Sequence, residues 1–145
     1  MPDTGLPRWA RVIGRSLRVA AYLLTVVVAV GDTWWPSATI DGVVPAWQLQ
    51  TTAVAMTVLG LLGAVGVLVH RWRVEWVCAS VVAFLLAGRA GPVWASVDDI
   101  PSRLAAAAMM TLASIGLAAR ALDLWVFAVK TAGAAHLPRR REARA

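Results

Sequence analysis

WQLQTTAVAMTVLGLLGAVGVLV, residues 47–69, carries no ionisable side chain. A helix crosses the hydrocarbon core of a bilayer with roughly 20 mostly apolar residues, within a range of about 17–25. The segment meets that length with no charge to hide, so it predicts a transmembrane helix. Three further runs flank it. The first covers 17–35. Another, 74–97, is apolar to Ala87 apart from Glu75 and Ser80 and then passes Arg89. The last, 104–130, opens after Pro101 and Ser102 and passes Arg120 and Asp123. None alternates with the period-two pattern of a transmembrane strand. In lipid each backbone N–H and C=O must be satisfied within its own segment, which leaves the helix as the solution. The expected fold is an all-α integral membrane protein with four transmembrane helices, a basic N-terminal segment at 1–16 and a basic tail at 131–145.

Short connections with helix breakers support the same division. Pro36, Gly42 and Pro45 interrupt between the first two spans, and His70-Arg71-Trp72-Arg73 makes a tight polar turn between the next two. Gly88, Gly91, Pro92 and Pro101 mark the third connection, where Ser102 is the expected N-cap of the fourth helix.

The whole composition agrees. The 145 residues are 59% apolar and 15% charged, with a formal net charge of +6. A soluble domain runs near 25% charged and 45–50% apolar, so disorder, a disulfide scaffold and an ordinary cytosolic enzyme all fit poorly. The basic residues are thirteen Arg and one Lys. They fall in short clusters between apolar runs rather than as a patch on a polar domain, which speaks against nucleic acid as partner. Arg8, Arg11, Arg15, Arg18, Arg71, Arg73, Arg120, Lys130, Arg139, Arg140, Arg141 and Arg144 lie on one expected side of the membrane, and only Arg89 and Arg103 on the other. The excess places both termini in the cytoplasm, N-in/C-in. Trp34, Trp35, Trp47, Trp72, Trp76 and Trp94 fall near expected span ends, as an aromatic belt requires. The expected location is a membrane, crossed several times, with both termini on its cytoplasmic side. The N-terminus has a second reading as a cleaved signal peptide, with Ala29-Val30-Gly31 as the small-x-small triplet.

Several features are candidates for function. Arg8, Arg11, Arg15 and Arg18 share one face of a helix, which predicts either an interfacial amphipathic helix on anionic lipid or simple topology determination. Arg139, Arg140 and Arg141 form a cluster suited to anionic headgroups or to a solvated tail. Gly60, Gly63 and Gly66, with Ala113 and Gly116 in the fourth span, are small residues that let helices approach closely. They serve either packing within one bundle or assembly of several copies. Asp32 and Arg89 are ionisable residues within the spans, and such residues are site hypotheses by default; they are expected to pair across the first and third helices. Arg71 with Glu75 and Arg120 with Asp123 have the spacing of surface helical pairs. His70, His136 and the single Cys78 lack neighbours at ligand spacing, so no metal or cofactor is expected. Phosphate loops, nucleophile elbows and HExxH helices are missing from the sequence, so neither catalysis nor a small-molecule substrate is expected.

Residues 60–124 resemble the holin-like four-span small membrane proteins of actinobacterial phages. The resemblance lies in Gly63 to Gly66, in Arg71-Trp72-Arg73-Val74-Glu75-Trp76, and in Asp98-Asp99-Ile100-Pro101-Ser102-Arg103 opening an Ala-rich final helix. It implies a protein that oligomerises in the host inner membrane and permeabilises it for release of an endolysin. The alternative is a non-lytic small membrane protein, either a superinfection-exclusion factor or an accessory subunit of a membrane complex.

Overall fold

The structure, a computed structural model, describes residues 7–34 and 45–142, with the backbone alone at Ser102 and 133–142. Four α-helices follow in order: α1, Arg8–Trp34; α2, Ala46–Leu68; α3, Trp72–Ala95; and α4, Leu104–Glu142. All four are long and apolar enough to cross a membrane, with the apolar part of α4 running from Leu104 to Ala132. At 1.5 Å per residue the 27 residues of α1 reach about 40 Å, roughly two turns beyond a ~30 Å hydrocarbon core.

Those extra turns are the basic ones. The expectation of a separate interfacial helix before the first span gives way to one uninterrupted helix from Arg8. Only Gly14 could weaken that stretch, and an isolated Gly within a helix is tolerated at about 1 kcal/mol. The arginine face is therefore the first two or three turns of α1.

Each helix packs on the next in sequence: α1 on α2, α2 on α3, α3 on α4. Neighbours are antiparallel. Tyr22 lies against Gly63 and Val26 against Gly60, so the contact moves back along α2 as it advances along α1. Likewise Glu75 meets Arg120, Ala83 meets Ser114, and Trp94 meets Thr111. The inner helices α2 and α3 carry most of the buried side chains, while α1 buries only Tyr22 and Ala29. The core has two layers. One groups Ala29, Ala53, Met56, Val82 and Leu86; the other groups Tyr22, Ala64, Val67 and Cys78, and Leu117 of α4 packs against both.

The α2–α3 turn is closed by backbone geometry. The Arg71 amide donates to Gly66 O at 2.9 Å and the His70 amide to Val67 O at 3.4 Å. This is the Schellman pattern, which needs a left-handed residue just past the helix. His70 fills that role with φ of 60°, where glycine is the usual occupant.

At the other end, Ile100 occupies the cap position and a 3-10 turn, Pro101–Arg103, leads into α4. Ser102 thus sits inside that turn, two residues past the cap position, and is not the expected N-cap. Pro101 explains this: its fixed φ and missing N–H suit the first position of a helical turn. Nor does α3 end at its breakers. It runs through Arg89, Gly91 and Pro92 to Ala95, so Pro92 lies within the last turn of the helix rather than ending it.

Candidate functional site: two buried ion clusters

The apolar core is closed at each end by a charged cluster hung from α3. On this helix Glu75, Cys78, Ala79, Val82, Ala83, Leu86, Arg89, Ala90 and Val93 are all buried, a spacing that follows one helical stripe. Glu75 and Arg89 are 14 residues apart on that stripe, about 21 Å along the axis.

Arg89, only 2% exposed, is met by three acceptors from two other helices. Its Nη1 lies 2.5 Å from Asp32 Oδ2 of α1. Its Nε donates to Thr52 Oγ1 at 3.1 Å and its Nη2 to Leu49 O at 3.3 Å, both on α2. The Thr52 hydroxyl in turn donates to Gln48 O at 2.7 Å. An arginine presents its donors as a rigid planar fork, so these acceptors fix its position as well as neutralise it.

At the opposite end the Glu75 carboxylate receives Arg120 Nε of α4 at 2.9 Å and faces Arg18 Nη1 of α1 at 3.9 Å. Tyr22, also on α1, donates its hydroxyl to the Glu75 backbone carbonyl at 3.2 Å. Arg15 donates from Nη2 to Leu68 O, at the last residue of α2. A cation at a helix C-terminus satisfies an orphan carbonyl and opposes the helix dipole.

Asp32 and Arg89 thus stand in contact. The two surface pairs expected within single helices do not form as such. Glu75 turns into the bundle toward Arg120, while Arg71 precedes α3 and is exposed and Asp123 faces outward. Burial explains the exchange: a carboxylate 7% exposed demands a partner that can reach it inside, and Arg71 is exposed. The signal for Glu75 was present in its stripe, three and four residues before Cys78 and Ala79. The partner helix carries no such mark in the sequence.

The three glycines of α2 are used within one chain. A Cβ at Gly63 would lie 2.5 Å from the Tyr22 ring, and one at Gly60 would lie 2.7 Å from Val26 Cγ2 and 3.0 Å from Tyr22 O. At Gly66 it would come within 3.2 Å of Glu75 N and Val74. Any larger residue at Gly60 or Gly63 strikes α1 before it could reach a second copy. Ala113 and Gly116 differ: both are exposed on α4, and nothing lies within 4 Å of the place a Gly116 Cβ would take.

Arg8 and Arg11 are exposed, whereas Arg15 and Arg18 are partly buried in the contacts given above. The side chains of Arg139, Arg140 and Arg141 lie outside the described residues, as do Trp35, Pro36, Asp41 and Gly42. The two basic residues on the sparse side of the charge distribution, Arg89 and Arg103, are both buried, at 2% and 8% exposed. Among the described residues no three His, Cys, Asp or Glu side chains come together as a metal ion requires.

No protein-family model, no curated protein and no solved structure matches the chain.

Proposed function

We propose that the chain is a multi-pass protein of a bacterial cytoplasmic membrane, N-in/C-in, that works by lateral assembly of several copies. In the holin-like reading, assembly opens the membrane to an endolysin. The observation that carries this is the outer face of α4. Gly116 lies open there beside exposed Ala113, and Met109, Leu112 and Ile115 on the same helix are each at least 60% exposed. In lipid, helices associate through close packing of small residues rather than through hydrophobicity. An open glycine flanked by large apolar side chains suits a helix–helix contact that this chain leaves unmade.

Sidedness is supported by the burial of Arg89 and Arg103, which removes both sparse-side cations from the surface. Trp72 and Trp76 at the start of α3, and Trp34, Trp47 and Trp94 near the opposite helix ends, agree with two aromatic levels. The partners of the reading are anionic lipid and further copies of the chain.

A second reading, a non-lytic scaffold or accessory subunit, is favoured by the closure of both ion clusters and all three α2 glycines inside one chain. Inducible expression of the full chain with a potential-sensitive dye separates the two. The lytic reading expects abrupt, delayed depolarisation, postponed or abolished in Gly116→Leu. Sustained growth at high membrane expression overturns it. Phosphatase fusions at residues 40 and 145 test sidedness, with activity expected only at the first.

A further inference from the structure

Beside the clusters, a groove of about 630 Å³ runs along the outer side of the α3–α4 pair. Buried Ala83 and Ala121 lie in it, Phe84 and Leu122 flank them, and Trp76 and Trp125 stand at the end nearest the α2–α3 turn. Its polar atoms are already engaged: Ser80 Oγ donates to Trp76 O, and Ser114 Oγ donates across to Ala83 O, both at 2.9 Å. The trough therefore offers mostly carbon to whatever fills it.

Its length limits the occupant. From Trp76 to Ala87 the α3 wall measures about 17 Å, half of a ~30 Å hydrocarbon core and hence one leaflet. A second copy's helix would pack best on small residues, whereas this trough is bordered by Phe84, Leu122, Trp76 and Trp125. One acyl chain fits it end to end. Charge names the headgroup. Arg73 lies three residues before Trp76 and seven before Ser80, on the same side of α3, exposed, with its guanidinium 5.4 Å from the Trp72 ring centroid. It stands one turn beyond the tryptophan mouth, the level of phosphate when the tail lies in the groove.

We propose that this groove holds one acyl chain of an anionic phospholipid of the leaflet facing the α2–α3 turn, with its phosphate on Arg73. The inference rests on the membrane reading above and adds a ligand to it.

The test uses the full chain extracted from membranes of mixed phosphatidylglycerol and phosphatidylcholine, with retained lipid counted by native mass spectrometry. One phosphatidylglycerol is expected to be retained in preference to phosphatidylcholine. Ala118→Phe, at an exposed position lining the groove, should lower retention about tenfold with helical content unchanged. Arg73→Gln should keep a lipid but reduce the preference for phosphatidylglycerol about fivefold. Equal retention of the two lipids by the wild-type chain, or undiminished retention in Ala118→Phe, overturns the lipid site. A dimer abolished by Ala118→Phe overturns it in favour of a second copy. Carbonate extraction of the same membranes separates the levels. A chain released by carbonate fails the membrane reading and the site together, whereas an integrated chain without retained lipid fails the site alone.

Discussion

Arg89 of α3 and Asp32 of α1 meet at 2.5 Å, with the arginine's other nitrogens on Thr52 Oγ1 and Leu49 O of α2. One guanidinium thereby ties three helices. A buried pair of this kind adds little net stability over well-packed apolar residues, but losing one partner strands the other.

Asp32→Asn and Arg89→Gln should each cost about 3–5 kcal/mol of unfolding stability, and the double variant less than the sum. Reversible unfolding in detergent micelles, arranged as a double-mutant cycle, gives the coupling. Additive losses would show that the two side chains act independently.

The Glu75 cluster makes a sharper distinction. Arg120→Ala should cost about 3 kcal/mol by leaving the buried carboxylate only its longer contact with Arg18, while Arg71→Ala should stay within about 0.5 kcal/mol, as surface changes do. Equal losses in the two variants would put the partner of Glu75 on its own helix, contrary to the 2.9 Å contact with Arg120.

Gly63 and Gly116 should respond to alanine in opposite directions. At Gly63 the new methyl meets the Tyr22 ring at 2.5 Å and must displace it, breaking the hydroxyl's bond to Glu75 O. Overpacking of this kind costs about 1–3 kcal/mol. At Gly116 the space is open, and the better helix propensity of alanine should add up to about 1 kcal/mol to the monomer. Thermal unfolding of the two variants at low protein-to-detergent ratio makes the comparison.

His70→Gly should raise stability by about 1 kcal/mol, because glycine adopts φ of 60° without the steric penalty of a Cβ. A loss on substitution would mean that the imidazole itself holds the turn. The same melting experiment reads the sign.

The four long helices are legible in the sequence because each is a long, mostly apolar run, and α2 carries no ionisable side chain at all. The site is legible in part. Asp32 and Arg89 announce themselves as charges within apolar runs, and only one acid and one base compete for that place. Glu75 sits in the same buried stripe, yet pairing rules for a single helix point to Arg71, four residues away. Choosing Arg120 instead requires knowing that α4 packs beside α3 and turns that face inward, which no local spacing encodes. The same gap applies to the glycines: their size tells that something approaches closely, while the identity of that neighbour, Tyr22, is a tertiary fact. The helix continues through Arg120, and beyond it Trp125 lines the groove with Trp76.

Glu75 and Arg89 share one stripe of one rod, and each is gripped by partners on other helices. Turning α3 by a single residue's arc, about 100°, would unseat both grips at once, as would sliding it by one 5.4 Å turn. The helix is keyed at both ends, like a shaft with two splines. The rotation and the axial position of α3 are therefore set together, by contacts about 21 Å apart on one helix.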